Sequence, residues 1–239
     1  MVKPRGIILY QGPSKLDGEP IVVIATLQTN NPKTGNMVQT YIIRSDINPV
    51  EVSKQALDGS ICGNCPQRWS KGGACYVNIG QAPNSIYKAY KRGVYPLFNS
   101  DHLKYFAGRK LRLGAYGDPA AVPIEAMLPV LHVVDGWTGY THQLRHKGFD
   151  SRWLDYCMVS ADTPRQADVA IKRGGRYFRV TKELDLRENE IECLADSKGI
   201  NCADCLKCDG AFNTSANIVI AVHGSRSKRF LNNDIIARG

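Results

Sequence analysis

The chain has 239 residues, 43% apolar and 22% charged, the make-up of an ordinary folded protein with room for one large domain or two small ones. No apolar run approaches the roughly 20 residues that a bilayer crossing needs, and no apolar stretch follows Met1-Val-Lys-Pro-Arg5 as a secretion signal would require. The formal charge of +9 counts every cysteine as neutral and falls with each thiol that ionises.

Three β-branched runs bounded by turn residues, Gly6–Tyr10, Ile21–Leu27 and Gln39–Arg44, read as an N-terminal β extension over residues 1–45. Pro49 opens a short helix over Val50–Leu57. From there the core, residues 46–239, alternates strand and helix. Strands are expected at Cys75–Ile79, Leu111–Tyr116, Gly139–Leu144, Met158–Ala161, Arg176–Val180 and Asn217–Val222. Helical stretches are expected at Ser85–Lys91, Asp101–Gly108, Ile124–Val134 and Pro164–Arg173, with a helical turn at Ser151–Leu154. Such alternation gives parallel strands joined by right-handed crossovers. The expected fold is a single α/β domain over 1–239, a partial or closed (β/α) barrel with cysteine-rich metal loops.

Seven of the eight cysteines fall into two groups. The first is Cys62-x2-Cys65 followed by Cys75; the second is Cys193 followed by Cys202-x2-Cys205-x2-Cys208. Two-residue gaps let one turn bring two thiolates to a metal, which disulfides rarely need. Nothing marks the chain as secreted, so a reducing compartment favours metal over bridges. The C-terminal run is closer to the iron–sulfur loops of bacterial ferredoxins than to zinc sites, which separate their tight pairs by longer stretches. A 4Fe-4S cluster is the expected cofactor and structural zinc the alternative. Three thiolates in the first group leave a fourth iron open as a Lewis acid, unless Cys157 or a cysteine of the second group fills the vacancy. Standing alone, Cys157 otherwise reads as a small buried apolar residue.

Parallel α/β sheets bind ligands beyond the carboxyl ends of their strands. Asp118, His142, Asp162 and His223 stand at or near four such ends, where general acid–base groups are useful. Each also has a structural reading. Asp118 with Pro119 forms a turn, Asp162 initiates the helix at Pro164, and the two histidines satisfy themselves in the core. Lys and Arg concentrate over 88–112 and 165–182, the pattern of a solvated face or of a nucleic-acid partner.

Several strings resemble the phage gene-product-88 family of bacteriophage proteins. They are Lys33-Thr-Gly-Asn-Met37, Cys62 to Pro66, Cys75-Tyr-Val-Asn78, Gly80-Gln-Ala-Pro83, Leu113 to Pro123, Gly139-Tyr-Thr-His-Gln143, Ser160-Ala-Asp-Thr-Pro164 and the C-terminal cysteines. The resemblance spans most of the chain and implies a phage-encoded protein of the host cytoplasm, without supplying an activity. More distantly, the layout is similar to radical S-adenosylmethionine enzymes. Those place a three-cysteine loop before a six-stranded partial barrel and a Gly-Gly-Glu-like motif at the end of its second strand. That similarity implies a cofactor amino group bound at Gly117 and Asp118. The cysteine gaps differ, two and nine residues here against three and two in that family.

The expected function is an iron–sulfur protein with a site for a small-molecule or nucleic-acid substrate at the barrel mouth, its reaction radical or cluster-assisted hydrolytic. The alternative is a metal-stabilised nucleic-acid-binding or host-interaction protein without catalysis.

Overall fold

A computed structural model describes residues 3–212, 216–224 and 226–231. The N-terminal β-branched runs form β1 (Gly6–Pro13), β2 (Pro20–Thr26) and β3 (Val38–Arg44), paired antiparallel in that order. Ile21 to Ala25 and all of β3 are buried, as near-continuous apolar runs must be when both faces are covered. The polar residues of β3 are paired internally: Gln39 Nε2 donates to the hydroxyls of Thr29 (3.0 Å) and Thr34 (2.8 Å), and Arg44 Nη1 donates to Ser60 Oγ (3.1 Å).

Beyond β3 every pairing is parallel. β3 pairs with β4 (Lys110–Tyr116) and β4 with β5 (Gly136–Thr138), completing the first sheet in the order β1-β2-β3-β4-β5. The second sheet contains β6 (Tyr140–Thr141), β7 (Met158–Ala161), β8 (Tyr177–Thr181), β9 (Glu190–Glu192) and β10 (Asn217–Ala221), ordered β6-β7-β8-β10-β9. Gly139 alone separates β5 from β6. One stretch of chain thus leaves the first sheet and starts the second.

The helices are short: α1 (Pro49–Lys54), α2 (Gly59–Cys62), α3 (Ala82–Lys91), α4 (Leu128–Leu131), α5 (Pro164–Lys172), α6 (Leu194–Ser197), α7 (Cys202–Cys205) and α8 (Ser227–Leu231). The side chain of Asn48 caps α1 by accepting from the amides of Val50 and Glu51. The main core joins the first sheet to Phe106, Val130, Trp153 and Cys157, all buried. Helix α5 lays Ala167 and Ala170 on Val159 and Tyr177 of the second sheet and on Leu154 in the 3₁₀ segment Ser151–Asp155. A third cluster, Met158, Cys208 and Ile218, packs with Tyr140, Phe178 and Cys193. Cys157 is the buried apolar residue the sequence suggests.

Several expectations are corrected. Cys75–Ile79 forms no strand, so the parallel series begins at β3, inside the expected extension. The helix expected over Ile124–Val134 breaks into a 3₁₀ turn at Ile124–Ala126 and α4. Pro129 cannot donate to the carbonyl four residues back, and its ring crowds that turn. Asp101–Gly108 is a 3₁₀ segment over Ser100–Tyr105, and the strand at Gly139–Leu144 shrinks to β6 before a 3₁₀ turn at Gln143–Arg145. Part of the positive charge expected on the surface is internal. Arg176 is buried on Asp209 (2.8 Å), and Arg179 is buried on Glu190 (2.7 Å). Among the described residues, no helix is long and apolar enough to cross a membrane.

Candidate functional site

The first cysteine group is built from two turns tied to the carboxyl ends of the parallel strands. Cys62 ends α2, and Cys65 N donates to Cys62 O (3.1 Å). Gly63, between them, has φ +48°, and an added Cβ would sit 2.1 Å from Gln143 Oε1. That closeness lets the buried Gln143 clamp the turn. Its Oε1 accepts from Asn64 N (3.0 Å), and its Nε2 donates to Cys62 O (2.9 Å) and Asp118 Oδ2 (3.1 Å). The second turn hangs from Gln67, whose carbonyl accepts Cys75 N (3.0 Å) and whose Oε1 accepts Ala74 N (3.1 Å). Burial, and then the neighbouring Cys65 and Cys75, push the Cys62 thiol well above its ordinary value. The three thiols therefore share one electrostatic neighbourhood. Over it, the Arg226 guanidinium stacks 3.2 Å from the Trp69 ring centroid, its buried Nη1 without a hydrogen-bond partner among the described residues.

Asp118, His142 and Asp162 come together beside this group. Asp118 caps the turn Pro119–Ala121 through Oδ1 (3.0 Å to Ala120 N), while Oδ2 accepts His142 N (2.8 Å). Burial raises its pKa, and those hydrogen bonds oppose the shift. His142 Nε2 faces Asp162 Oδ2 at 3.5 Å, and Asp162 Oδ1 accepts Gln67 Nε2 (3.0 Å). Burial disfavours the charged imidazole, yet the neighbouring Cys65 and the Asp162 carboxylate lift its pKa well above the histidine range. Burial likewise opposes ionised Asp162, and His142 overrides it and holds the carboxyl below its ordinary value. Thr163, not Asp162, caps α5, accepting Gln166 N; this leaves the Asp162 carboxylate to face the histidine.

A cavity of about 320 Å³ opens here, lined by Asn64, Pro66, His142, Arg145, Ser160 and Asp162 among others. Of the four residues expected to line it, His142 and Asp162 do; Asp118 and His223 do not. Asp118 is held behind it by Ala120, His142 and Gln143. His223 is exposed beyond β10, with Nε2 3.2 Å from Lys33 Nζ and Nδ1 3.1 Å from Ala221 O. Gly117 has a backbone reason of its own. Its φ is +82°, and a Cβ there would stand 2.6 Å from Ile42 Cβ, so glycine lets β4 end against β3.

The second cysteine group lies against β4 and β6. Cys193 precedes α6, Cys202 and Cys205 bound α7, and Cys208 is buried. Cys202 N and Ala203 N donate to Lys33 O (3.0 Å) and Thr34 O (3.2 Å) in the loop entering β3, and Cys208 O accepts Gly139 N (3.0 Å). Burial pushes the Cys208 thiol up to about 12, with Cys193, Cys202 and Cys205 adding to the shift and Tyr140 opposing it. Arg112 projects from β4 into this group. Its guanidinium lies 5.6 Å from the Tyr140 ring centroid, and Nη2 donates to Tyr76 OH (3.1 Å). Burial works against its charge, but Tyr76, Tyr140, Cys202 and Cys208 together hold its pKa above the usual value. Among the described residues Arg112 pairs with no carboxylate.

Among the described residues, no three His, Cys, Asp or Glu side chains converge tightly enough to hold a single metal ion. The donors nevertheless suit a thiolate-bound centre: four cysteines that act on one another's charge, a cation beside Cys202 and Cys208, and a tyrosine packed with Cys193 and Cys208. Sequence reasoning missed Gln67, Gln143, Arg112 and Tyr140. Gln143 stands next to His142 in a polar string at a strand end, the one signal that could have exposed it. Comparison with known proteins finds no family model, curated protein or solved structure that matches the chain.

Proposed function

We propose that the protein is an iron–sulfur protein, with a cluster on Cys193, Cys202, Cys205 and Cys208 and a second metal centre on Cys62, Cys65 and Cys75. The cavity lined by His142 and Asp162 is its substrate site, and the parallel strands β3 to β10 curve around it as a partial barrel.

The observation that carries the reading is Arg112. A half-buried guanidinium that pairs with no carboxylate among the described residues, and that lies beside Cys202 and Cys208, is balanced when those thiols are deprotonated on a metal. Iron–sulfur is favoured over zinc by the two consecutive two-residue gaps of the second group. Bound iron supplies redox or Lewis-acid chemistry. In the cavity, Asp162 Oδ2 faces His142 Nε2 at 3.5 Å, where the pair can keep a proton at Nε2.

S-adenosylmethionine does not fit the motif expected to bind it. Ile42 accounts for Gly117, and the carboxylate of Asp118 is committed to Ala120, His142 and Gln143.

Protein purified anaerobically is expected to be brown, to contain iron and acid-labile sulfide, and to absorb broadly in the visible with bleaching on reduction. Colourless protein carrying stoichiometric zinc would refute the reading.

A further inference from the structure

We propose that His142 is a ligand of the metal centre on Cys62, Cys65 and Cys75, bound through Nδ1, with Asp162 fixing the ring from Nε2. The inference rests on the reading above for the existence of that centre and goes beyond it by closing a fourth position that three cysteines leave open.

The ring is mounted on the cysteine turns themselves. Its backbone is fixed by Asp118 (2.8 Å to His142 N), and the next residue, Gln143, is bonded to both Cys62 O and Asn64 N. The carboxylate that orients the ring is fixed from the other turn, because Gln67 donates to Asp162 and also accepts from Ala74 and Cys75. Imidazole and orienting carboxylate are therefore referenced to the same two turns that carry the three thiols. A histidine that only filled the core would need neither tie.

The pair is also unfinished as it stands. The Asp162 side chain is 4% exposed, and at 3.5 Å neither its Oδ2 nor His142 Nε2 completes a hydrogen bond. A metal on Nδ1 makes Nε2–H an obligatory donor and closes that contact, the arrangement in which a ligating histidine gives its other ring proton to a carboxylate. Cys65 is close enough to the ring to act on its charge. With Cys62 and Cys75 in the same neighbourhood, it forms part of a donor set rather than an isolated nucleophile.

The test is pulsed electron paramagnetic resonance on reduced, iron-loaded full-length protein, combined with metal analysis of His142→Cys and Asp162→Asn. Wild-type protein is expected to show a strongly coupled imidazole nitrogen. His142→Cys should lose that coupling and keep its iron, since a thiolate replaces the imidazole. Asp162→Asn should keep the coupling and yield its first-site metal to a chelator about 10- to 100-fold more readily. Iron-loaded wild type without the coupling, or coupling that survives in His142→Cys, overturns this assignment and leaves the iron–sulfur reading intact. Wild-type protein without iron overturns both.

Discussion

Replacing Gln143 tests the clamp on the first cysteine turn. The side chain is fully buried and makes three hydrogen bonds, to Cys62 O (2.9 Å), Asn64 N (3.0 Å) and Asp118 Oδ2 (3.1 Å). Two neutral bonds at about 1 kcal/mol each and one to a carboxylate at about 1.5 kcal/mol put Gln143→Ala at roughly 3.5 kcal/mol of lost stability. Gln143→Glu separates the clamp from simple volume. The new carboxylate can still accept from Asn64, but it cannot donate to Cys62, and it meets Asp118, whose pKa burial already raises. Its own folded pKa is then raised above the unfolded value, so its destabilisation is present at neutral pH and fades as pH falls through the carboxylate range. Urea unfolding of protein as purified, at pH 7 and at pH 5, reads both effects from the midpoint at constant slope. Gln143→Ala within about 0.5 kcal/mol of wild type, the range of ordinary surface substitutions, would refute the clamp, as would Gln143→Glu more stable than Gln143→Ala at pH 7.

Glu190 is buried against Arg179 and Tyr177; burial opposes its charge, but the Arg179 hydrogen bond holds its carboxyl below the ordinary value. Its stabilisation is complete above the unfolded carboxylate pKa of about 4.3 and is lost as pH falls through the folded value; Glu190→Ala should cost about 3 kcal/mol at pH 7 and flatten the acid limb of stability against pH. Cys205→Ser should lower metal content and melting temperature together, and unchanged metal content removes Cys205 from the site. Gly117→Ala places a side chain at φ +82° and 2.6 Å from Ile42 Cβ; a loss of about 1–3 kcal/mol from strain alone is expected in thermal unfolding. Trp153→Ala empties a site only 1% exposed and should cost about 3–5 kcal/mol by denaturant titration.

The strands that were legible in the sequence are those whose apolar runs are buried on their own account. Met158–Ala161 matches β7 residue for residue, and β1 to β4 and β10 lie where their β-branched runs stand. What stayed hidden is short or held by distant partners. β9 is three residues with a glutamate at each end, and it pairs only because β10 offers an edge. Cys75–Ile79 has strand-like composition, but its first amide is taken by Gln67, so it runs as a loop. Around the first cysteine group, proximity to strand ends picked out Asp118, His142 and Asp162, which lie together, although only His142 and Asp162 line the cavity. It failed for His223, because the chain beyond β10 turns toward Lys33 instead of the cavity. Gln67 and Arg112 carried no local signal; their roles exist only once residues far apart in sequence meet.

The Gln143 clamp also sets a time. The turn it holds is complete at Cys65, yet its donor to Cys62 O lies 81 residues downstream. At the roughly 5–20 residues per second of protein synthesis, the newly made thiols wait about 4–16 s before the residue that fixes their turn exists. During that interval Cys62 and Cys65 are ordinary nascent-chain thiols, open to oxidants and to whichever soft metal is most abundant. Under the proposed function, loading of a metal on the first cysteine group is therefore ordered in time as well as in space. On that proposal it follows the emergence of β6, and expression under fast elongation and low free zinc should raise the iron content of the purified protein.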